Sequence, residues 1–354
     1  RGCAALGWHQ RKHGGAIGVT ELNVANPNWW PHRFDPARGH VHFIRATRED
    51  HRKAVFLTDE YLADAANPQA VGLAAAAAAG GQAPLHFIFH SAYCCSTLLA
   101  RAFDLPGTSM GLKEPQILND LSGWRMRGAQ PQELASVMAG VLATLARPFG
   151  AGEALVVKPS NLVNGLAGLI LHVRPNAKAV FLHAPLRDFL GSIARKGMFG
   201  RLWVRELMVK QMREGLIDLG LEGEDYLQLT DLQAAAVGWL AQHALFAQIV
   251  QKFGASRVRT LDSIRLMAAP GDAMAALVTH FGLAVEGPVL EDLVNGPVFL
   301  QHSKNDEAFD ADARDAARRE GEKLHADEIE KVHTWAEAVA QNAGISVALP
   351  APLI

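Results

Sequence analysis

Apolar and polar positions follow two different periods along the chain after residue 84. Short apolar, β-prone runs predict strands at Leu85–Phe89, Ala154–Val157, Ala179–Leu182 and Arg257–Leu261. Apolar residues at helical spacing predict helices at Ser96–Asp104, Pro131–Ala146, Leu162–His172, Asp188–Lys196, Val204–Leu219, Asp231–Phe253 and Asp272–Phe281. Alternation of strands and helices predicts an α/β fold with a parallel sheet flanked by helices.

The two ends of the chain have a different pattern. The run His40–Arg45 alternates like a short strand, and Asp59–Ala66 is a candidate helix. In Val71–Pro84, six consecutive alanines precede two glycines, which indicates either an alanine-rich helix or a linker. We therefore predict an N-terminal subdomain over 1–83, a nucleotide-binding domain over 84–304 and a charged helical extension over 305–354. Asn305–Lys331 is read as its solvated helix.

Composition limits the classes of function. Charged residues make up 20% of the chain and the net charge is −2, so no global basic field indicates a nucleic-acid partner. The three cysteines contain no CxxC pair, which disfavours a disulfide framework and a structural zinc site and fits a reducing cytoplasm. No run reaches bilayer length, and the first residues lack the apolar core of a signal peptide. We expect no membrane partner and no bound metal.

The stretch Leu85–Asp104 carries the most specific signal. A buried strand is followed by small and hydroxyl-bearing residues and then by a helix that Ser96 or Thr97 could cap. Such a turn can direct backbone N–H groups and the positive end of a helix dipole at a phosphate. The alternative is an ordinary strand–turn–helix with two buried cysteines. No Gly-Lys-Ser/Thr is present, which disfavours a kinase or an NTPase.

Further candidates follow the other predicted strands. In an open parallel sheet ligands bind at the carboxyl ends of the strands, so Phe89–Thr97, Lys158–Ser160 and His183–Ser192 are expected at one edge. Lys158 is a candidate extra cation there. Glu114, in Lys113-Glu114-Pro115, could act as a general base, although Lys113 and Glu114 could equally form a surface ion pair.

Two motifs resemble those of sulfotransferases. Ala92-Tyr93-Cys94-Cys95-Ser96-Thr97 resembles the family's 5′-phosphosulfate loop, Pro-Lys/Arg-Ser-Gly-Thr-Thr, with Tyr93 at the basic position and Cys95 at the glycine position. Arg187, Asp188 and Ser192 resemble the family's 3′-phosphate motif, with His183 in place of its leading arginine. The resemblance covers Pro84–Lys304 and implies a P-loop NTPase-like, sulfotransferase-like fold.

The resemblance also implies a reaction and a set of site residues. The donor would be 3′-phosphoadenosine 5′-phosphosulfate (PAPS), and the acceptor a hydroxyl or amine of a small molecule or glycan. Glu114 would be the catalytic base, with His90 as its rival. Arg187 and Ser192 would bind the 3′-phosphate, and Lys304 would be the basic residue of a late loop that folds over the nucleotide. The implied loop residues are Ser91, Ala92, Tyr93, Cys94, Cys95, Ser96 and Thr97.

Two other classes stay open at the level of sequence. One is a phosphotransferase that uses ATP and Mg²⁺, and the other is a non-catalytic nucleotide-binding or interaction protein. The sequence identifies neither the acceptor nor the oligomeric state, so a homo-oligomer remains an option.

Overall fold

The computed structural model describes residues 22–300 and 311–354, and for 311–324 it describes the helix but not the side chains. Eight strands form two sheets in this part of the chain. The strands are β1 (Trp29–Asp35), β2 (His40–Arg45), β3 (Gln69–Gly72), β4 (Leu85–His90), β5 (Ser109–Lys113), β6 (Ala154–Lys158), β7 (Ala179–His183) and β8 (Val258–Asp262).

Helices fill most of the remaining described chain. The α-helices are α1 (Arg48–Lys53), α2 (Leu73–Ala78), α3 (Ser96–Ala102), α4 (Gln116–Met126), α5 (Pro131–Leu145), α6 (Ala167–Val173), α7 (Leu186–Arg195), α8 (Gly197–Arg213), α9 (Gly223–Gln228), α10 (Asp231–Phe253), α11 (Ser263–Ala268), α12 (Pro270–Phe281), α13 (Gly287–Val294), α14 (Pro297–Leu300) and α15 (Ala311–Asn342). Two short 3₁₀ helices cover Ala63–Ala66 and Asn161–Leu166.

The larger sheet is parallel and has the strand order β5-β6-β4-β7-β8. Every neighbouring pair in it is parallel. Alternate residues of β4 enter different clusters, since Phe87 and Phe89 pack on one face and Ile88 on the other. Both faces are therefore buried under helices. The predicted α/β class with a parallel sheet is confirmed.

The edge strand β5 was not predicted from the sequence. It is only five residues long and carries a glycine and a lysine, so its apolar run is too short to stand out. Gly111 has a packing reason, because a Cβ atom there would lie 1.8 Å from the carbonyl oxygen of Ala100. The close approach of β5 and α3 thus requires a residue that looks like a strand breaker in sequence.

Several predicted helix bounds are wrong. The helix predicted at Val204–Leu219 is α8, which begins at Gly197 and ends at Arg213, before the positive φ of Gly215. The helix predicted at Leu162–His172 is divided into the 3₁₀ helix Asn161–Leu166 and α6.

Two end segments also differ from the predictions. Of the candidate helix Asp59–Ala66 only the last four residues are helical, since the Asp59 carboxylate instead bonds His32 and Arg33. Within the predicted charged helix Asn305–Lys331, residues 305–310 lie outside the described residues. The observed α15 continues to Asn342.

The smaller sheet is antiparallel, in the order β1-β2-β3, and β2 coincides with the strand predicted at His40–Arg45. The alanine-rich segment forms β3 and α2, and it is tied to α5 by hydrogen bonds from Gly81 to Ala143 and from Ala83 to Ala146. The helix alternative therefore holds for this segment. The division of the chain at residues 83 and 304 remains a prediction.

One buried cluster joins the small sheet to the large one. It contains Trp30 and Phe43 of the small sheet together with Phe87 and Val157 of the large sheet. Because these side chains are shared, residues 29–72 are packed directly on the face of the parallel sheet. None of the described helices has the length and apolar character needed to cross a membrane.

Candidate functional site

The loop between β4 and α3 has an unusual backbone. Ala92, Tyr93 and Cys95 have φ angles of 72°, 53° and 63°, in the left-handed region that non-glycine residues seldom adopt. Cys95 directly precedes α3 and stands where the resembled motif has glycine. Backbone strain of this kind, of order 1–3 kcal/mol per residue, persists where the surroundings hold it in place.

The same loop presents a series of uncommitted N–H groups. Within the described chain, no acceptor bonds the amide N–H of Tyr93, Cys94, Cys95, Ser96 or Thr97. Left-handed and helical residues in succession point such groups into a concavity that attracts anions. Buried amides normally have partners, so a ligand or water is expected to accept from them.

Two side chains hold the loop against its neighbours. Ser91, which is fully buried, accepts a hydrogen bond from the Ala184 amide (3.1 Å) and donates one to the Ala92 carbonyl (3.2 Å). The thiol of Cys94 donates to the Leu182 carbonyl (3.4 Å). Burial raises the pKa of Cys94 to about 12, so it is a neutral packing group rather than a nucleophile.

His90 is also engaged with backbone. Its Nε2 lies 3.1 Å from the Pro159 carbonyl oxygen, and its Nδ1 accepts from the Ala92 amide at 3.0 Å. This pattern requires the tautomer with the proton on Nε2. Asn164, a buried residue that the sequence analysis did not single out, donates to the His90 carbonyl at 2.9 Å. His90 thus fixes the loop's entry, and its role as a base stays a prediction.

Lys158 and Glu114 form an ion pair at the carboxyl ends of β6 and β5. The Glu114 amide donates to the Lys158 carbonyl (2.7 Å), and Glu114 has a φ of 52°. The Lys158 side chain is 2% exposed and that of Glu114 18% exposed. The Lys158 ammonium also lies 5.1 Å from the ring centre of Phe56, a residue of the small N-terminal region. A buried cation and a reachable carboxylate therefore stand side by side.

This pair lies next to the loop. Burial raises the pKa of the Cys94 thiol, and the charge of Lys158 acts in the opposite direction, to lower it. The Lys158 ammonium therefore lies within electrostatic range of the loop. His90, at the end of β4, and Pro159, just after β6, are in direct contact. The structure thus brings together three predicted groups of residues, namely the loop, Glu114 and Lys158.

Tyr93 does not project freely from the loop. Its ring packs against Phe189 of α7 (6.1 Å between centres) and Trp203 of α8 (5.5 Å). Burial raises the pKa of its hydroxyl, so the side chain is neutral. The loop itself therefore contains no cationic side chain, and the buried cation Lys158 lies at the end of β6, the strand next to β4 in the sheet.

The predicted residues of α7 have other partners. Arg187, with 48% of its side chain exposed, forms an ion pair with Glu330 of α15. Ser192 accepts a hydrogen bond from Arg195 at 3.0 Å. Neither of these two contacts is with the loop. Lys304 lies outside the described residues.

A cavity of about 370 Å³ opens at the carboxyl ends of β7 and β8. Its wall includes His183, Trp239 and Asp262. Ala184 separates it from the loop, since the Ala184 amide donates to Ser91 and its carbonyl accepts from the Trp239 indole (2.9 Å). Burial lowers the pKa of His183, although Asp262 opposes the shift, so a neutral imidazole is expected there.

No group of three or more His, Cys, Asp or Glu side chains in the described chain has the arrangement of a metal site. The site is instead built from backbone amides, one buried ammonium, one carboxylate and a neighbouring cavity. These features define a parallel α/β protein with an amide-lined loop at the end of its central strand.

Three solved structures share part of this architecture, and all are sulfotransferase domains or enzymes. The domain from the Synechococcus PCC 7002 olefin synthase is 16% identical, covering 73% of this chain and 96% of that one, with a TM-score of 0.41. The domain from the curacin biosynthetic pathway is 13% identical, covering 76% and 100%, with a TM-score of 0.42. Sulfotransferase STF9 from Mycobacterium avium is 11% identical, covering 72% and 78%, with a TM-score of 0.41.

No protein-family model and no curated protein matches the chain. At TM-scores this low the structural likeness carries no argument about activity. The fold class rests on the strand order and register described above, and the function has to be argued from the site.

Proposed function

We propose that this protein binds PAPS and transfers its sulfuryl group to a hydroxyl or amine of a small-molecule or glycan acceptor. The observation that carries the proposal is the run of five amide N–H groups, Tyr93 to Thr97, for which the described residues provide no acceptor, beside a buried Lys158–Glu114 pair. Backbone amides favour the sulfonate and phosphate oxygens of the donor.

The proposal needs a cation, because the loop has tyrosine where the resembled motif has lysine or arginine. Lys158 meets this need from the neighbouring strand. A buried ammonium acts in a medium of low polarity, where its attraction to a developing negative charge is stronger than in water. Lys158 would therefore take the part that a loop lysine plays elsewhere.

The cavity beside His183 is the proposed place for the nucleoside. It is adjacent to the loop through Ala184, and its wall combines apolar groups with Trp239 and Asp262, as ligand pockets commonly do. Arg187 and Ser192 remain predicted ligands of the 3′-phosphate, and Lys304 remains the predicted basic residue of a late loop over the nucleotide. To bind the phosphate, Arg187 would have to give up its ion pair with Glu330.

The proposed transfer is an in-line displacement at sulfur. A bond forms between the acceptor oxygen or nitrogen and sulfur, while the bond from sulfur to the bridging oxygen of the 5′-phosphate breaks and leaves 3′,5′-adenosine bisphosphate. Glu114 accepts the acceptor's proton, a role typically worth about 10²–10⁴-fold in rate. Lys158 and the loop amides stabilise the charge on the equatorial and leaving oxygens.

The first experiment is a thermal-shift comparison of 3′,5′-adenosine bisphosphate, AMP, and ATP with Mg²⁺. Ligand at 100 times its dissociation constant should stabilise the fold by about 2.7 kcal/mol. A selective response to the bisphosphate supports the proposal, and a response to ATP with Mg²⁺ alone supports the phosphotransferase alternative and overturns it.

Turnover then separates a catalyst from a binding protein. With radiolabelled PAPS and a panel of alcohol and amine acceptors, Glu114→Gln should lose turnover by roughly 10²-fold or more while it retains bisphosphate affinity. Binding of the bisphosphate without sulfuryl transfer by the wild type to any acceptor of the panel would instead identify a non-catalytic nucleotide-binding protein.

Arg187→Ala tests the 3′-phosphate assignment. The variant should bind 3′,5′-adenosine bisphosphate about tenfold more weakly, as expected for the loss of one charge-assisted contact, with AMP affinity unchanged. Arg38→Ala is the matched control, because Arg38 is 75% exposed and pairs with a carboxylate on the small sheet. Equal effects on AMP and the bisphosphate would remove Arg187 from the proposed site.

A further inference from the structure

A second cavity lies at the outer edge of the parallel sheet, against the edge strand β5 and the side of α3. Its volume is about 320 Å³. Four of its wall residues are cationic and only Asp104 is acidic. The cationic wall residues are Arg52, Lys53, Arg101 and Lys113. The lining therefore favours an anion, and the proposed sulfuryl-transfer site makes no use of it.

The most buried polar residue in the wall of this cavity is His51. It is 1% exposed, and neither of its ring nitrogens has a hydrogen-bond partner among the described residues. Its ring is held edge-on by Trp30 (4.6 Å) and Phe149 (5.4 Å). Burial, with the charge of Lys113 as the next cause, lowers its pKa to about 3, so His51 is a neutral imidazole with one N–H to donate.

Lys113 makes the cavity more than a set of surface charges. Its side chain is buried, and its ammonium donates to the carbonyl oxygens of Arg52 (3.1 Å) and Ala54. Buried cations and buried, unpartnered donors are costly, and in native proteins they usually mark a bound group or a water. Here both occur in the wall of one cavity.

The rim adds cations whose partners are displaceable. Arg52 bonds Asp104 and approaches Glu49 at 3.8 Å, and Lys53 lies 3.6 Å from Glu49 with 74% of its side chain exposed. The two pairs with Glu49 are exposed and contribute little, of order 0–1 kcal/mol each, so an incoming anion can compete with Glu49 for these cations.

From this arrangement we infer that the cavity between α1, α3 and β5 is a binding site for a small oxyanion, such as a phosphate, sulfate or carboxylate group. His51 would donate a hydrogen bond at its base, and the four cationic side chains would balance its charge. The site borders the edge strand β5, which is two places from β4 in the sheet, and it shares no wall residue with the amide-lined loop, so it would serve a ligand other than the proposed sulfuryl donor.

The test follows the His51 ring by NMR in protein labelled at histidine Cε1, with the signal assigned by its loss in His51→Gln. Inorganic phosphate is titrated first and glycerol 3-phosphate second, at low ionic strength and pH 7. A saturable shift of the His51 signal is expected. A tighter response to glycerol 3-phosphate would indicate an organic phosphate as the natural ligand, and a tighter response to inorganic phosphate would indicate the free ion.

Two charge-reversal variants complete the test. Lys53→Glu should weaken phosphate binding roughly fivefold, since reversal both removes an attraction and adds a repulsion. Lys331→Glu is the matched control, because Lys331 is 73% exposed and also pairs with an acid one helical turn away. An unmoved His51 signal, or equal weakening in both variants, would overturn the assignment.

Discussion

The Lys158–Glu114 pair offers the sharpest test of the site, through Glu114→Gln. The substitution preserves the shape of the side chain and removes its charge. It leaves the Lys158 ammonium, whose side chain is 2% exposed, without its carboxylate. We expect a clear loss of stability, because a lone buried charge has neither water nor a counter-charge.

The size of the expected stability loss depends on how deeply each side chain of the pair is buried. Removal of one partner from a buried ion pair costs about 3–5 kcal/mol. Glu114 is 18% exposed and the Phe56 ring still faces the ammonium, so the lower end, about 3 kcal/mol, is expected for Glu114→Gln. Lys158→Met should cost less, about 1–2 kcal/mol, since the carboxylate that remains can be hydrated.

The assay is urea denaturation at pH 7 for the wild type, both single variants and the double variant. The two substitutions should be coupled, so the double variant should lose about 2 kcal/mol less stability than the sum of the two single losses. Asp327→Asn is the control, because it breaks an exposed helical pair and should cost only about 0.3–0.5 kcal/mol. A Glu114→Gln variant no less stable than this control would refute the buried-charge reasoning.

Three further predictions concern the fold around the site. Cys95→Gly should raise the free energy of unfolding by about 1 kcal/mol, since glycine adopts the left-handed conformation without strain; a drop in stability by urea denaturation would contradict this. Gly111→Ala should cost about 3 kcal/mol or more, because its Cβ would lie 1.8 Å from a backbone oxygen, whereas Gly168→Ala, with nothing within 4 Å, should be neutral or stabilising. Folding lowers the pKa of His51 to about 3, so between pH 6.5 and 3 the unfolded chain binds one proton more than the folded chain. The free energy of unfolding should therefore fall by about 2 kcal/mol from pH 7 to pH 5, and His51→Phe should remove this pH dependence.

Sequence patterns were sufficient for the elements whose periodicity is long or strongly apolar. The helix α10 begins and ends where it was predicted, since Thr230 and Gln233 form a capping box and Gly254 ends it with a positive φ. The strand β4 and the start of α3 were also located, because a buried apolar run meets a helical pattern at Ser96. These signals are local, so a single sequence contains them.

Other features depend on contacts between distant segments. The pairing of Glu114 with Lys158 requires β5 to lie beside β6, and β5 itself carries too weak a pattern to be recognised. The partner of Arg187 is Glu330, on a helix that no local signal relates to α7. His51 has no hydrogen-bond partner among the described residues, and this likewise follows from its packing by Trp30 and Phe149. Such relations are set by topology rather than by spacing.

In the proposed site the loop supplies the geometry and the sheet supplies the charge, which explains how a loop without lysine would hold a doubly charged ligand. The loop's contribution is conformational, because it has three left-handed residues and five amides that bond no acceptor in the described part of the chain. The charge is placed by the sheet, since the parallel register sets Lys113 opposite Lys158 and the next amide, that of Glu114, donates to the Lys158 carbonyl. A cation at a strand end is held more rigidly than one on a loop, and its carboxylate partner balances its buried charge when no ligand is bound. The position of a cation in the sheet, rather than its place in a linear motif, then decides whether it can reach the anion.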